Sequence, residues 1–132
     1  MSLRESSREE FVAAVPEKVL ITGGAGFIGG HLVARLLDDG HHVVVLDDLS
    51  SGSMDRLPEH PKLEVVVGSV LDPMALEQAV RGAQFVINLA GIVGMRLATA
   101  EFKRAYEVAS HGSKRVLEAT GEIPIVMVSS SA

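Results

Sequence analysis

The sequence predicts an α/β fold, a doubly wound parallel sheet, on three observations. Short β-branched runs alternate with segments of helical period, turn residues stand between them, and one such run enters a helix through a glycine-rich turn. The chain has 132 residues, enough for one domain with one core. Apolar residues make up 47% and aromatic ones only 4%. Such a core must be built from Val, Leu, Ile and Ala, which suits parallel strands buried on both faces.

Residues 1–16 are charged and Ser-rich with a short apolar patch, Phe11 to Val15, and are expected to form a frayed tail or a loosely docked helix without function. The domain is expected over residues 17–132. Its first strand runs from Val19 to Thr22. A helix follows from about Gly26, with Ile28, Leu32, Val33, Leu36 and Leu37 as its apolar stripe and Arg35, Asp38 and Asp39 as its polar face. Gly40 ends it, as the residue that best adopts a left-handed conformation. The second and third strands span His42 to Leu46 and Leu63 to Val67. Asp72 and Pro73 open the next helix as cap and first helical residue, and it closes near Gly82. Asp72 is therefore read as a cap rather than a ligand.

A fourth strand is expected from Phe85 to Leu89 and a fifth from Ile125 to Ser129. Between them a long helix from Ala100 to Ala119 carries Phe102, Ala105, Tyr106, Ala109, Gly112, Ser113, Val116 and Leu117 on one face. Right-handed crossovers then give about five strands in the order 3-2-1-4-5. Ligands bind such sheets at the carboxyl ends of strands one and four, where the chain reverses direction.

Composition excludes several classes. The net charge of −5 provides no basic stripe for a phosphate backbone, so nucleic acid is not an expected partner. No apolar run reaches the ~20 residues needed to cross a bilayer, and Ser2-Leu3-Arg4-Glu5 is no signal peptide, so neither a membrane nor export is expected. The absence of cysteine removes disulfides, thiolate nucleophiles and Cys-ligated zinc, and it fits a cytoplasmic protein. His41 and His42 are adjacent in a strand and point to opposite faces, while His31, His60 and His111 are dispersed, so no metal site is expected. Ser129, Ser130 and Ser131 lack the G-x-S-x-G frame of a hydrolase nucleophile.

The chemistry-bearing stretch is Leu20 to Gly29, a strand leading straight into a turn with glycines at 23, 26 and 29 that opens a helix. In this context Gly23 permits the tight turn, Gly26 lets the backbone approach a pyrophosphate, and Gly29 lets the helix pack close to the sheet. The free amides and dipole of the helix then hold the anion. Asp47 follows the second strand 18 residues after Gly29, where a carboxylate accepts hydrogen bonds from the adenosine ribose hydroxyls. A carboxylate there repels a 2′-phosphate, which favours NAD over NADP. Asp48 suits either this role or capping of its own loop. The fold so described is Rossmann-type.

Five motifs in order over residues 18–132 carry a family resemblance: TGGAGFIG at Thr22 to Gly29, LDDLSSG at Leu46 to Gly52, NLAG at Asn88 to Gly91, YEVASHGSKRVLEA at Tyr106 to Ala119, and VMVSSSA at Val126 to Ala132. The chain resembles the extended short-chain dehydrogenase/reductase family, in particular its NAD-dependent sugar-nucleotide epimerase and dehydratase branch. The resemblance implies that Phe27 and Ile28 follow the pyrophosphate turn and that Leu89, Ala90 and Gly91 line the cofactor. It further implies that Ser131 takes the place of a catalytic Ser/Thr on the substrate oxygen.

The departures are as specific. Where the family has Gly-Asp-Ile/Val against adenine, this chain has Gly68-Ser69-Val70, which leaves that contact to Ser69 and Val70. Ala109 stands for an Asn of the long helix, and Val93 for a Lys after the NLAG turn. The Tyr-x-x-x-Lys pair of the family, its acid/base tyrosine and supporting lysine, is absent from these residues, and the single tyrosine, Tyr106, has Ser110 four positions on. The resemblance places that pair, further strands and a C-terminal substrate domain beyond residue 132. The expectation is thus an NAD-binding portion, itself inactive, of an enzyme whose substrate is a nucleotide sugar. A non-catalytic NAD sensor or scaffold, and a degenerate fragment that binds nothing, are the alternatives. With a sheet face and edge exposed near Ile125 to Val128, self-association, instability or a partner covering that face is expected.

Overall fold

A computed structural model of the chain describes residues 17–90 and 111–128. Five strands form one parallel sheet: β1 (Lys18–Thr22), β2 (His42–Asp47), β3 (Leu63–Val67), β4 (Phe85–Asn88) and β5 (Ile125–Met127). Their order is β3-β2-β1-β4-β5, the order that the alternation of strands and helices predicts. Leu20 stands between Val44 and Val86, and Ile21 between Val45 and Ile87. Because side chains alternate along a strand, Val19 and Ile21 enter one face of the sheet and Leu20 the other.

Among the described residues three α-helices cover these faces: α1 (Phe27–Asp38), α2 (Pro73–Val80) and α3 (Ser113–Thr120). Val33 and Leu37 of α1 pack on Val19, Ile21, Val43 and Val45. On the opposite face Leu76 and Ala79 of α2 and Val116 of α3 pack on Leu20, Val44, Leu46 and Val86. The central strand residues Leu20, Ile21, Val43, Val45 and Val86 are fully buried. Each contributes roughly 1.5–3 kcal/mol by leaving water, which is why these strands read as unbroken apolar runs.

The helix ends follow local chemistry. Gly40 has φ +90°, and its amide donates to Leu37 O (3.0 Å) while that of His41 donates to Leu36 O (3.0 Å). These two bonds form a Schellman motif and satisfy carbonyls that the last turn of α1 leaves open. At the start of α2 the Asp72 side chain accepts from Met74 N (3.0 Å), with Pro73 at the first helical position.

Two expectations need correction. Ile28 is 56% exposed rather than part of the core, because the first turn of α1 lies beyond the carboxyl end of β1, and Val33 and Leu37 supply the buried stripe with Gly29 and Gly30. Leu117 is 47% exposed, since the buried positions of α3 are Val116 and Thr120, four apart, and Leu117 lies one step round the helix. The sequence pattern also missed a 3-10 helix, Met54–Arg56, whose Ser53 hydroxyl accepts from Asp55 N (3.2 Å). The tail over residues 1–16, the part of the long helix over 100–110 with Tyr106 and Ala109, Gly91, Val93 and Ser129 to Ser131 lie outside the described residues.

Among the described residues β3 and β5 are the edge strands. In β5 and just after it, Val126, Met127 and Val128 are 46%, 40% and 38% exposed. Among the described residues no helix is long and apolar enough to cross a membrane.

The glycines yield a graded prediction for stability. A β-carbon at Gly40 meets nothing within 4 Å, so Gly40→Ala carries only the cost of a left-handed backbone. It should lower stability by about 1–2 kcal/mol, read as a lower urea midpoint at unchanged slope. At Gly23 the φ of +75° is joined by a β-carbon position 2.8 Å from Ala90 N, so Gly23→Ala should cost well over that amount.

Candidate functional site

β1 ends at Thr22, and the chain turns through Gly23 to Gly26 into α1. The Gly23 amide donates to Leu46 O (2.8 Å) at the end of β2, while a β-carbon on Gly23 would lie 2.8 Å from Ala90 N beyond β4. The turn is thus wedged between two strand ends. A β-carbon on Gly29 would come within 2.6 Å of Gly23 O and Gly24 Cα. The close contact expected of Gly29 is therefore made with the backbone of the turn rather than with the sheet itself.

Gly26 differs from both. Its backbone is extended (φ −76°, ψ 177°), which any residue adopts, and a β-carbon there would meet only Gly23 O, at 3.4 Å. Among the described residues nothing in the chain requires glycine at that position. Next to it, the amides of Phe27, Ile28 and Gly29 precede the first α1 bond, which Gly30 N donates to Gly26 O (2.8 Å). Among the described residues no side chain caps this helix end, and Phe27 and Ile28 are exposed. The result is a set of uncapped N–H groups at the positive end of a helix dipole, an arrangement suited to an anion.

Asp47, the last residue of β2, is turned toward this junction. Its Oδ2 accepts from Ala25 N (3.0 Å) and its Oδ1 from Leu49 N (2.8 Å). The second bond holds Leu49 at φ +62°, a left-handed conformation unusual for a branched side chain. A carboxylate has about four lone-pair sites, so two amides leave capacity for a vicinal diol. Asp48 Oδ1 accepts from Ser50 N (3.0 Å) and Ser50 Oγ (2.7 Å), closing a turn in its own loop.

The remaining sequence-predicted residues sit around the same edge. Gly68 N donates to Asp47 O (3.0 Å), which brings the stretch after β3 beside the end of β2. Ser69 Oγ accepts from Leu71 N (3.0 Å), and the Val70 side chain is buried in the core, so Val70 can offer a ligand only its main chain. Leu89 is buried against the α1 face, and Ala90 lies against Gly23. Gly91 and Ser131 are outside the described residues. Two histidines have backbone partners: His41 Nδ1 accepts from Glu17 N (3.1 Å) and His60 Nδ1 from Lys62 N (3.0 Å).

Sequence reasoning missed Thr22 and Asn88, both buried. Thr22 Oγ1 donates to Asn88 Oδ1 and accepts from Ala90 N (3.3 Å), while Asn88 Nδ2 donates to Ser113 Oγ (3.4 Å) on α3. This chain of bonds fixes the loop after β4 against the glycine turn. The available signal was a Thr and an Asn at the ends of otherwise apolar runs, where a buried polar group needs a partner.

The profile of the NAD dependent epimerase/dehydratase family matches residues 19–132. A 3-beta-hydroxysteroid dehydrogenase of Mycolicibacterium neoaurum is 37% identical over 106 residues, covering 77% of this chain and 28% of that protein. The structure of epimerase Mth375 from Methanothermobacter thermautotrophicus superposes with a TM-score of 0.81 at 31% identity, over 94% of this chain and 38% of that one. UDP-glucose 4-epimerase of Thermus thermophilus, solved in complex with NAD, gives a TM-score of 0.68 at 33% identity, over 77% and 33%. The chain therefore spans 28–38% of the length of these relatives. By the match of residues 19–132 and the shared fold, the chain belongs to the NAD dependent epimerase/dehydratase family.

Proposed function

We propose that these residues form the NAD site of an epimerase or dehydratase that acts on a nucleotide sugar. The observation that carries the reading is Gly26. The chain's own packing demands Gly23 and Gly29, whereas the bare Cα at Gly26 faces space beside uncapped amides, as it should where a diphosphate lies close to the backbone. The NAD complex of the Thermus thermophilus relative supports the same cofactor.

In this reading the amides of Phe27 and Ile28 hold the diphosphate and Asp47 accepts from the adenosine ribose hydroxyls. Ser69 and the main chain of Val70 flank the adenine, and Leu89, Ala90 and Gly91 line the path toward the nicotinamide. The bound nicotinamide supplies hydride transfer to and from the substrate carbon. Asp47 disfavours NADP, because a carboxylate beside a 2′-phosphate sets like charges together. Ser131 is the one catalytic candidate here, on the substrate oxygen. These 132 residues hold no Tyr-x-x-x-Lys pair, so they should show no turnover alone. The cytoplasm is the proposed location. A second reading, oxidation of a hydroxysteroid, is favoured by the 37% identity to the Mycolicibacterium neoaurum dehydrogenase.

Calorimetric titration tests the cofactor site. NAD should bind the wild-type chain more tightly than NADP does. Asp47→Ala should weaken NAD at least tenfold, the order expected for lost hydrogen bonds to a charged group, and narrow the gap to NADP. Gly26→Val should abolish binding while the far-UV circular dichroism stays native, since among the described residues nothing excludes a side chain there. Absence of heat with either cofactor rejects the reading.

The exposed row at Val126, Met127 and Val128 supports a further part of the proposal, self-association of the chain through the β5 side of the sheet. Sedimentation velocity should show dimers or larger species that dissociate on Val126→Lys. A stable monomer at all concentrations contradicts this part alone.

A further inference from the structure

The segment after β2 returns to the glycine turn and grips it at one residue. Ala25 donates its N–H to Asp47 Oδ2 (3.0 Å), and its carbonyl accepts from Ser53 N (3.0 Å). The Arg56 guanidinium stands 3.5 Å from that same carbonyl and 3.5 Å from Ser51 O. Behind it, the main chain of Arg56 packs on α1 so closely that a β-carbon on Gly30 would lie 3.0 Å from Arg56 O. Gly52 is equally confined, with its β-carbon position 2.9 Å from Asp47 Oδ2 and 3.0 Å from Ala25 O. A side chain at Gly30 would push Arg56 O back by a few tenths of an ångström, so glycine there admits this close contact.

We propose that Arg56 is a positioning residue of the diphosphate turn: together with the 3-10 helix it ends, it holds Ala25 and so aims the amides that follow. The proposal rests on the NAD reading above. Asp47 and Asp48 place negative charge on the β2 side of the junction, where a diphosphate must also approach. Arg56 is exposed, and its contacts with two carbonyls are long, so they orient the turn while adding little to the stability of the free protein. Its cationic charge gains value when an anion arrives on the amides of Phe27 and Ile28. Both carbonyls lie against one nitrogen, Nη1, and lysine keeps the charge but carries it on a compact ammonium without the fixed plane of the guanidinium.

The test compares wild type, Arg56→Gln and Arg56→Lys in the 132-residue chain. Affinities for NAD, ADP and adenosine are measured at low and high salt, and thermal midpoints are recorded alongside. Arg56→Gln should weaken NAD and ADP by about five- to tenfold and flatten their salt dependence, with adenosine affinity and thermal midpoint unchanged. Arg56→Lys should restore part of the loss. Equal NAD affinity in wild type and Arg56→Gln overturns the proposal, and so does an equal loss for adenosine, which marks general damage to the fold. A wild-type chain that binds no NAD defeats the functional reading and this inference with it, before any variant is compared.

Discussion

There is no room for a β-carbon between Gly23 and Ala90. That constraint lets the first turn lodge between the ends of β2 and β4, with its amide on Leu46 O and its neighbour Thr22 bonded to Asn88 and Ala90 N. The start of α1, the end of β2 and the loop after β4 cannot shift independently. A bulky residue at Gly23 therefore disturbs three elements, whereas one at Gly26 disturbs only the space in front of them.

Asp47 carries two tasks with one carboxylate. It braces Ala25 and pins Leu49 in a left-handed turn, and in the proposed function it also receives the ribose. Both bonds to amides are charge-assisted and already formed in the protein alone, so a ribose bound there would meet an oriented acceptor rather than a mobile side chain. Binding and local stability are consequently coupled at this residue, and a substitution there acts on both.

Much of this was legible in the sequence where the cause is local. Asp72 before Pro73, Gly40 after an apolar stripe, and five β-branched runs each carry their own conformational reason, and the strand order follows from their alternation with helices. The positions that resisted reading depend on contacts distant in sequence. Periodicity placed Ile28 and Leu117 on apolar stripes, but which positions of a stripe are covered is decided by where the sheet ends and how far neighbouring helices reach. Gly30 and Gly52 gave no signal because the groups they admit, Arg56 O and Asp47 Oδ2, come from elsewhere in the chain. The roles of Thr22, Asn88 and Ser113 likewise needed the sheet to bring them together.

The central claim is that the amides opening α1 receive a diphosphate. Its most direct test is a two-dimensional 15N–1H spectrum of the chain titrated with ADP-ribose. The account predicts saturable shifts largest at Gly26, Phe27 and Ile28, followed by Ala25 and Leu49 on the Asp47 carboxylate. Shifts centred elsewhere, such as between α2 and α3, with those amides unmoved, would contradict it.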